Sequence, residues 1–139
     1  MSFLTPKDRL LSTLRKARAD RPPVCCIGGM MNAAIVEIMQ RTGHTLPEAH
    51  TDAGKMADLA QDVQAYSGFE NFGVPFCMTV EAELLGAEVN LGTLACEPKI
   101  VKENFASVAQ VDFRDVQTLA HSGRIEVVVD AAGRIARAN

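Results

Sequence analysis

Residues 66–89 have the sequence YSGFENFGVPFCMTVEAELLGAEV, and this stretch indicates how the chain folds. A helix is expected to end at Gly68, because glycine readily adopts the left-handed backbone that closes a helix. The apolar run at residues 69–74 predicts a short strand, which Pro75 ends because proline has no N–H to donate. A second short helix is predicted over residues 78–85. In α/β enzymes, strand-to-helix passages of this kind carry the active site.

The chain before this stretch is predicted to begin with a helix and a buried strand. Residues 5–18 predict an amphipathic helix capped by Thr5, with Pro6 at the first helical position. Leucine and alanine are expected to form its apolar face, and the lysine and arginine side chains the opposite face. The apolar run VCCI at residues 24–27 lies between Pro-Pro and Gly-Gly, which is typical of a strand buried on both faces.

Two further helices are predicted between these strands. The first spans about residues 33–42 and ends at Gly43. The second spans about residues 52–67, with Thr51 as its cap. Their inward stripes are expected to contain Ile35, Ile38 and Met39 in the first helix, and Met56, Leu59, Ala60 and Val63 in the second.

The chain after Gly86 is predicted to contain a hairpin and two more helical segments. Residues 87–91 alternate in polarity and would pair with residues 99–102. A turn of helix is predicted at residues 112–120 and a longer helix at residues 122–138. The apolar face of the longer helix is expected to comprise Ile125, Val128, Val129, Ala132 and Ile135. The three consecutive valines at 127–129 leave a strand open as the alternative, because β-branched residues weaken helix propensity.

Length and composition fit one globular domain over residues 1–139. The chain is 47% hydrophobic and 22% charged with a net charge of −3, and it has no basic block that would indicate a nucleic-acid partner. No apolar run approaches the roughly 18 residues that span a bilayer, so no membrane partner is predicted. The N-terminus lacks the pattern of a signal peptide, and a cytoplasmic location is the expectation.

The predicted fold class is α/β. Two buried strands separated by a long helical excursion favour parallel pairing with the helices outside. A TIM (β/α)₈ barrel requires about 250 residues, so the chain would supply only the N-terminal portion of such a barrel.

Glu81 is the best candidate for a catalytic residue. At about 100° per residue, Glu81 falls inside the apolar arc of the predicted 78–85 helix, whereas Glu83 falls outside it. An inward carboxylate must be paired, protonated or directed at a polar cavity. The alternative is that Glu81 faces solvent or caps a neighbouring group.

Two segments are candidates for a substrate or cofactor pocket. Gly28, Gly29, Met30, Met31 and Asn32 follow the first predicted strand. Adjacent glycines there would allow close approach of a ligand to the backbone, and the helix N-terminus would offer free N–H groups. The alternatives are a tight turn capped by Asn32, with the methionines as core residues.

The second candidate segment follows the second predicted strand and comprises Phe76, Cys77 and Met78. The Cys77 thiol would be within reach of a pocket at the strand end. A buried and inert thiol is the favoured interpretation, because no histidine or lysine lies near it in sequence to lower its pKa. The spacing of histidines and cysteines predicts no metal site within the chain.

Five segments match a known pattern in order and spacing. They are LTPKDRLL at residues 4–11, DRPPV at 20–24, GGMMN at 28–32, ENFGVPFCMTVEAE at 70–83 and LGAEV at 85–89. Together they resemble the uroporphyrinogen decarboxylase superfamily, and most closely its methylcobamide:coenzyme M methyltransferase-like branch. The resemblance covers the N-terminal part of that fold and implies a (β/α)₈ barrel with its pocket at the carboxyl ends of the strands.

The resemblance favours methyl transfer over decarboxylation. Decarboxylases of this superfamily carry an Arg-Gln-Ala-Gly-Arg segment after the first strand and an aspartate after the second. This chain has IGGMM at residues 27–31 and PFCM at residues 75–78 instead. An octa-anionic porphyrinogen would find no cationic partner in the first of these segments.

The methyltransferase branch implies cofactors and partners that this chain would not hold alone. In that branch, zinc with His and Cys ligands activates a small-molecule thiol, which takes a methyl group from a corrinoid. Those ligands lie later in the barrel, so none is assigned here, and Glu81 and the Gly28–Asn32 loop would be pocket elements. The implied function is corrinoid-dependent methyl transfer to a thiol, by a chain inactive alone and partnered by a corrinoid protein. Uroporphyrinogen decarboxylation, and a non-catalytic module whose barrel a partner chain completes, are the alternatives.

Overall fold

A computed structural model of the chain describes residues 3–26, 35–111 and 121–139. Within these ranges the helices are α1 (Pro6–Leu14), α2 (Val36–Thr42), α3 (Ala53–Ser67), α4 (Val80–Leu84) and α5 (Arg124–Ala138). Short 3₁₀ turns lie at Glu48–His50 and Val108–Gln110, and two strands, β1 (Glu88–Asn90) and β2 (Lys99–Lys102), follow α4. The helix predicted at residues 112–120 lies outside the described ranges.

Local signals place most helix ends as predicted. The Oγ1 of Thr5 accepts a hydrogen bond from the Asp8 N–H at 3.1 Å, which confirms the cap of α1. Gly43 and Gly68 adopt left-handed conformations after α2 and α3, with φ of 82° and 80°. These glycines end the two helices because other L-residues adopt that conformation at a steric cost.

The cap of α3 differs from the prediction by one residue. Asp52, not Thr51, is the cap, and its Oδ1 accepts a hydrogen bond from the Lys55 N–H at 2.9 Å. Thr51 instead closes the preceding 3₁₀ turn, where its Oγ1 donates to the Glu48 carbonyl at 3.3 Å. Both residue types are good caps, and the position of the 3₁₀ turn decides which one starts the helix.

The hydrophobic core lies around α3, which packs against α2 and most extensively against α5. The predicted stripe of α3 is confirmed, with Met56, Leu59 and Ala60 buried and Val63 packed against them. α2 contributes Met39, and Ile35 immediately precedes it; both are buried, while Ile38 is half-buried. Removing a buried Leu or Met side chain from such a core costs about 2–5 kcal/mol.

The segment at residues 124–138 is a helix, so its strand alternative is wrong. Its buried face comprises Ala131 and Ile135, with Val127 and Val128 packed against the same core. Val129 is 64% exposed and Ala132 is also exposed, which corrects the predicted face. Val128 and Ile135 lie on the core face as predicted, and Arg124, the first residue of α5, is also buried.

α1 also departs from its predicted polarity. Arg9 is buried, whereas Leu14 is exposed, and the helix ends at Leu14 rather than at residue 18. Carboxylates from distant segments surround Arg9, and this pairing makes the burial of an arginine possible.

The two predicted parallel strands do not form a ladder in the described residues. Residues 24–26 and 69–74 lie side by side, joined by one backbone hydrogen bond from the Glu70 N–H to the Val24 carbonyl at 2.8 Å. The Asn71 side chain supplies the neighbouring bonds, accepting from the Cys26 N–H and donating to the Cys26 carbonyl. Side-chain bonds of this kind hold extended segments together without the regular backbone pairing of a sheet. Val24 is exposed, which also corrects its predicted burial.

The sheet that the described residues do form is the predicted hairpin. β1 and β2 pair antiparallel, with Val89 opposite Ile100 and Asn90 opposite Lys99. Gly92 in the connection has φ of 77°, and a Cβ at that position would clash with the Cys96 carbonyl oxygen, so the turn requires glycine.

Candidate functional site

Cys77 lies at the centre of a buried polar cluster that sequence reasoning did not identify. The residue is 7% exposed and lies just before α4. Arg124 reaches it from the start of α5, with Nη1 3.3 Å from the Cys77 Sγ. Arg124 also donates from Nη2 to the Thr79 Oγ1 at 2.9 Å and from Nε to a Glu83 carboxylate oxygen. One guanidinium therefore links α5 to the segment that enters α4 and to α4 itself.

His50 completes this cluster from the turn before α3. Its side chain is 1% exposed, and neither ring nitrogen has a hydrogen-bond partner of regular geometry among the described residues. The imidazole nevertheless lies close enough to Cys77 to be among the groups that stabilise its thiolate. A buried polar side chain without a regular partner is uncommon in folded proteins and calls for a functional explanation.

The surroundings of Cys77 favour the thiolate. Burial by itself raises the pKa of the thiol, but contacts from His50, Thr79 and Arg124 outweigh it and lower the pKa from 9.0 to about 6. The predicted burial of Cys77 is confirmed. The interpretation of an inert thiol depends on the lack of a histidine or lysine nearby in sequence, and the structure instead brings His50 and Arg124 to Cys77 from distant parts of the chain.

The two glutamates of α4 have positions opposite to those predicted. Glu81 is exposed, whereas Glu83 is partly buried and pairs with Arg124. The helix begins at Val80 rather than 78, and it contacts α5 through the side on which Glu83 lies. The inward orientation expected for Glu81 is therefore wrong, while its candidacy as a catalytic residue stays a prediction.

The remaining pocket candidates are not brought together in the described residues. Gly28, Gly29, Met30, Met31 and Asn32 lie outside the described ranges. Phe76 is buried in the core next to Cys77, whereas Met78 is exposed.

A second buried arginine joins the N-terminal segments to one another. The Arg9 guanidinium forms a fork with Asp20, with Nε–Oδ1 and Nη2–Oδ2 distances of 2.7 Å and 2.9 Å. Its Nη1 lies 2.6 Å from Glu70 Oε1, and Glu70 also binds Arg21 and accepts from the Val24 N–H at 3.2 Å. We refer to Arg9, Asp20, Arg21 and Glu70 as the Arg9 cluster, and to His50, Cys77, Thr79, Glu83 and Arg124 as the Cys77 cluster.

The two carboxylates of the Arg9 cluster are ionised, which strengthens their pairing with the arginines. The hydrogen bond from Arg9 holds the pKa of Asp20 well below its ordinary value. Burial raises the pKa of Glu70, but hydrogen bonds from the Val24 N–H and Arg21, together with the charges of both arginines, lower it overall. Both carboxylates are therefore charged in the folded chain at neutral pH.

No group of three or more His, Cys, Asp or Glu side chains in the described ranges could hold a metal ion. None of the helices described combines the length and apolar character needed to cross a bilayer.

The sequence of the chain matches a known protein family. Residues 5–139 match the Uroporphyrinogen decarboxylase (URO-D) family, which is nearly the whole chain. The chain belongs to the uroporphyrinogen decarboxylase family. Within that family, it is 37% identical over 131 residues to the methylcobamide:CoM methyltransferase MtbA of Methanosarcina acetivorans, which covers 94% of this chain and 38% of MtbA. It is 40% identical over 100 residues to MtaA of Methanosarcina barkeri, covering 72% of the chain and 29% of MtaA.

A solved structure places the fold within the same uroporphyrinogen decarboxylase family. The chain superposes on a methyltransferase from Methanosarcina mazei with a TM-score of 0.82 and 34% identity. The superposition covers 99% of this chain and 39% of that structure. The chain thus spans less than two fifths of the relatives it matches, which confirms the family and the partial coverage inferred from its motifs.

Proposed function

We propose that this chain is the N-terminal part of a corrinoid-dependent methyltransferase that passes a methyl group from a methylcobamide to a small thiol such as coenzyme M. The observation that carries the proposal is its similarity to two methylcobamide:CoM methyltransferases, over 94% of the chain for MtbA and 72% for MtaA. The segments that differ from the decarboxylase pattern, residues 27–31 and 75–78, agree with this assignment.

The proposed parent fold is a (β/α)₈ barrel, to which this chain contributes the first units. The extended segments 24–26 and 69–74 lie side by side, as the first two strands of such a barrel would. In this arrangement the residues that follow each segment lie at the same end of the barrel. The Gly28–Asn32 loop and residues 76–78 are therefore proposed as neighbouring walls of one pocket.

Zinc and a corrinoid are proposed for the complete protein. When bound, zinc activates the accepting thiol as a thiolate. The described ranges contain no suitable group of ligands for zinc, so we assign no step through the metal to these residues. Their proposed role is to shape and close the pocket wall, with the exposed Met78 offering an apolar surface and Glu81 a carboxylate at its edge.

A chimaera tests the proposed function. Residues 1–139 are joined to the remaining part of MtbA from Methanosarcina mazei, a relative that is 38% identical to this chain. The chimaera is assayed with methylcobalamin and coenzyme M, and the methylated thiol is detected by mass spectrometry. We expect the chimaera to form the methylated thiol. Chelation of zinc should abolish this activity.

Control proteins show whether residues 1–139 are required for methyl transfer. The remaining MtbA segment alone should be inactive, and intact MtbA provides the reference rate. Each preparation is also incubated with uroporphyrinogen. A folded chimaera that decarboxylates uroporphyrinogen and forms no methylated thiol would contradict the proposal and favour the decarboxylase alternative.

A further inference from the structure

The Cys77 sulfur has the surroundings of a nucleophile rather than of a core thiol. Arg124 Nη1 lies 3.3 Å from Sγ and Thr79 Oγ1 lies 3.6 Å from it. Donors and positive charge at these distances stabilise a thiolate, which is the reactive form of cysteine. An inert buried cysteine usually has apolar neighbours instead.

His50 gives an independent indication that the cluster performs chemistry. Its ring is almost fully buried beside Cys77, yet neither nitrogen has a regular hydrogen-bond partner among the described residues. A neutral imidazole carries one nitrogen that accepts a proton. His50 therefore brings a hydrogen-bonding group without a regular partner among the described residues into the buried surroundings of the sulfur.

Each element packed around Cys77 contributes an identifiable group. α5 supplies the cation of Arg124, and the turn before α3 supplies the imidazole of His50. Glu83 of α4 binds the Nε of Arg124, while Nη1 of the same guanidinium contacts the sulfur. The cation that faces the thiolate is thus partly balanced by Glu83.

We propose that Cys77 is a site of oxidation by hydrogen peroxide, with Arg124, Thr79 and His50 holding its sulfur as the attacking thiolate. The sulfur attacks one peroxide oxygen, so that an S–O bond forms as the O–O bond breaks. Sulfur is oxidised by two electrons, and the departing hydroxide takes a proton from solvent to become water. The products are cysteine sulfenic acid and one water molecule.

The burial of Cys77 limits the size of an oxidant that can reach its sulfur. With 7% of the residue exposed, Cys77 is within reach of a very small reagent, and bulky disulfide reagents are excluded. Hydrogen peroxide meets this requirement and carries no charge. Conversion of the thiolate to a neutral sulfenic acid would weaken its contact with Arg124 and so loosen the attachment of α5 beside α4.

The test measures oxidation of each cysteine in the intact 139-residue chain. The protein is exposed to hydrogen peroxide at several values between about pH 5 and about pH 9, a range that brackets both thiol forms. The peptide that contains Cys77 is then examined by mass spectrometry for the added oxygen. We expect a rate that rises with pH and levels off above about 6, and an oxygen that is removed by a reducing thiol.

Two variants and one control separate this role from simple packing. Arg124→Gln and His50→Asn should each move the inflection of the rate to higher pH. The rate at acidic pH should fall by roughly tenfold for each pH unit of that movement, because the thiolate fraction falls by that factor. Arg134→Gln, which changes an exposed arginine of the same helix, should leave the profile unchanged. Circular dichroism establishes that each variant is folded.

Definite results would overturn the proposal. The first is that Cys77 is the last cysteine to react, remaining reduced while the exposed Cys96 is oxidised. Oxidation of Cys77 only in urea would equally exclude a reactive folded-state thiol. If Arg124→Gln does not fold, the His50→Asn variant decides the test. A pH profile of oxidation in His50→Asn that is the same as that of the wild type rejects the proposal. None of these readouts depends on methyl transfer, so this proposal and the proposed function fail separately.

Discussion

Arg9 and Arg124, the two arginines that are buried among the described residues, have different partners. Arg9 is 4% exposed and binds two carboxylates, both charged at neutral pH, so its surroundings are saturated with opposite charge. Arg124 is buried to a similar degree but binds one carboxylate, a hydroxyl and a thiol that can change its charge. The partners of a buried arginine thus decide whether it fastens segments together or stabilises a titrating nucleophile.

The largest effect is expected from removing the arginine of the Arg9 cluster. Arg9→Met would remove the guanidinium that binds Asp20 and would leave Arg21 as the arginine paired with the buried Glu70 carboxylate, and removing one partner of a buried charge network is strongly destabilising. The urea midpoint of unfolding should fall further than for any other substitution discussed. Arg18→Met, at an exposed position that follows the same helix, is the matched control and should have little effect. Equal midpoints for the two variants would show that the cluster does not fasten the N-terminal segments.

Acidification tests the same cluster without a large change in packing. The pKa values of Asp20 and Glu70 are lowered by folding from ordinary values of 3.8 and 4.5. Their contribution to stability is therefore complete above these ordinary values and is lost as pH falls through the lowered ones. Asp20→Asn should flatten this acidic loss in a series of urea unfolding curves. A loss as steep as that of the wild type would assign the acid sensitivity to other groups.

An intermediate effect, in a different pH range, is expected at the Cys77 cluster. Folding lowers the pKa of Cys77 from 9.0 to about 6, so its contribution is complete above the first value and lost as pH falls to the second. The free energy of unfolding of the wild type, relative to Cys77→Ser, should rise between these values by at most about 1.4 kcal/mol per pH unit.

A second background shows whether the guanidinium causes this slope. When Cys77→Ser is introduced into Arg124→Gln, the resulting change in the free energy of unfolding should depend less on pH, because one of the groups that lower the thiol pKa is absent. A slope that is the same in both backgrounds would remove Arg124 from the explanation. A flat profile in the wild type would mean that the folded chain does not stabilise the thiolate.

The smallest effect is expected from the two glutamates of α4. Glu83→Gln removes a negative charge from Arg124, so the thiol pKa of Cys77 should fall slightly further, and stability should decrease by about 1 kcal/mol or less. Glu81→Gln should leave the pKa of Cys77 unchanged, because Glu81 is exposed and has no part in the cluster. The pH dependence of the rate at which hydrogen peroxide oxidises Cys77 measures both. A larger change in the pKa of Cys77 in Glu81→Gln than in Glu83→Gln would support the inward orientation predicted for Glu81.

Elements determined by neighbouring residues were predictable from the sequence. The cap at Thr5, the glycines at 43 and 68 and the hairpin follow from interactions within a few residues. Family membership was also accessible, since it depends on the order of short segments. The cap of α3 was missed by one residue, because Thr51 and Asp52 have nearly equal propensities and the preceding turn selects between them.

The polar clusters were not predictable because their members are far apart in sequence. Arg9 meets Glu70 from 61 residues away, and an amphipathic pattern alone assigns such an arginine to the solvent face. Likewise, the residues near Cys77 in sequence give no sign of Arg124. The predicted strands are extended segments in the described residues, and an apolar run does not decide whether backbone or side-chain groups make the hydrogen bonds between them.

The distance along the chain between Cys77 and Arg124 also has a consequence for protein synthesis. Because 47 residues separate them, a ribosome completes the whole of α3, α4 and the hairpin before Arg124 is made. Domains form from the N-terminus onward during translation. The nascent chain therefore carries Cys77 without this guanidinium until α5 emerges, and only then is the set of groups that lower the pKa of the thiol complete. The reactivity of this thiol would thus report, during translation, when α5 has docked.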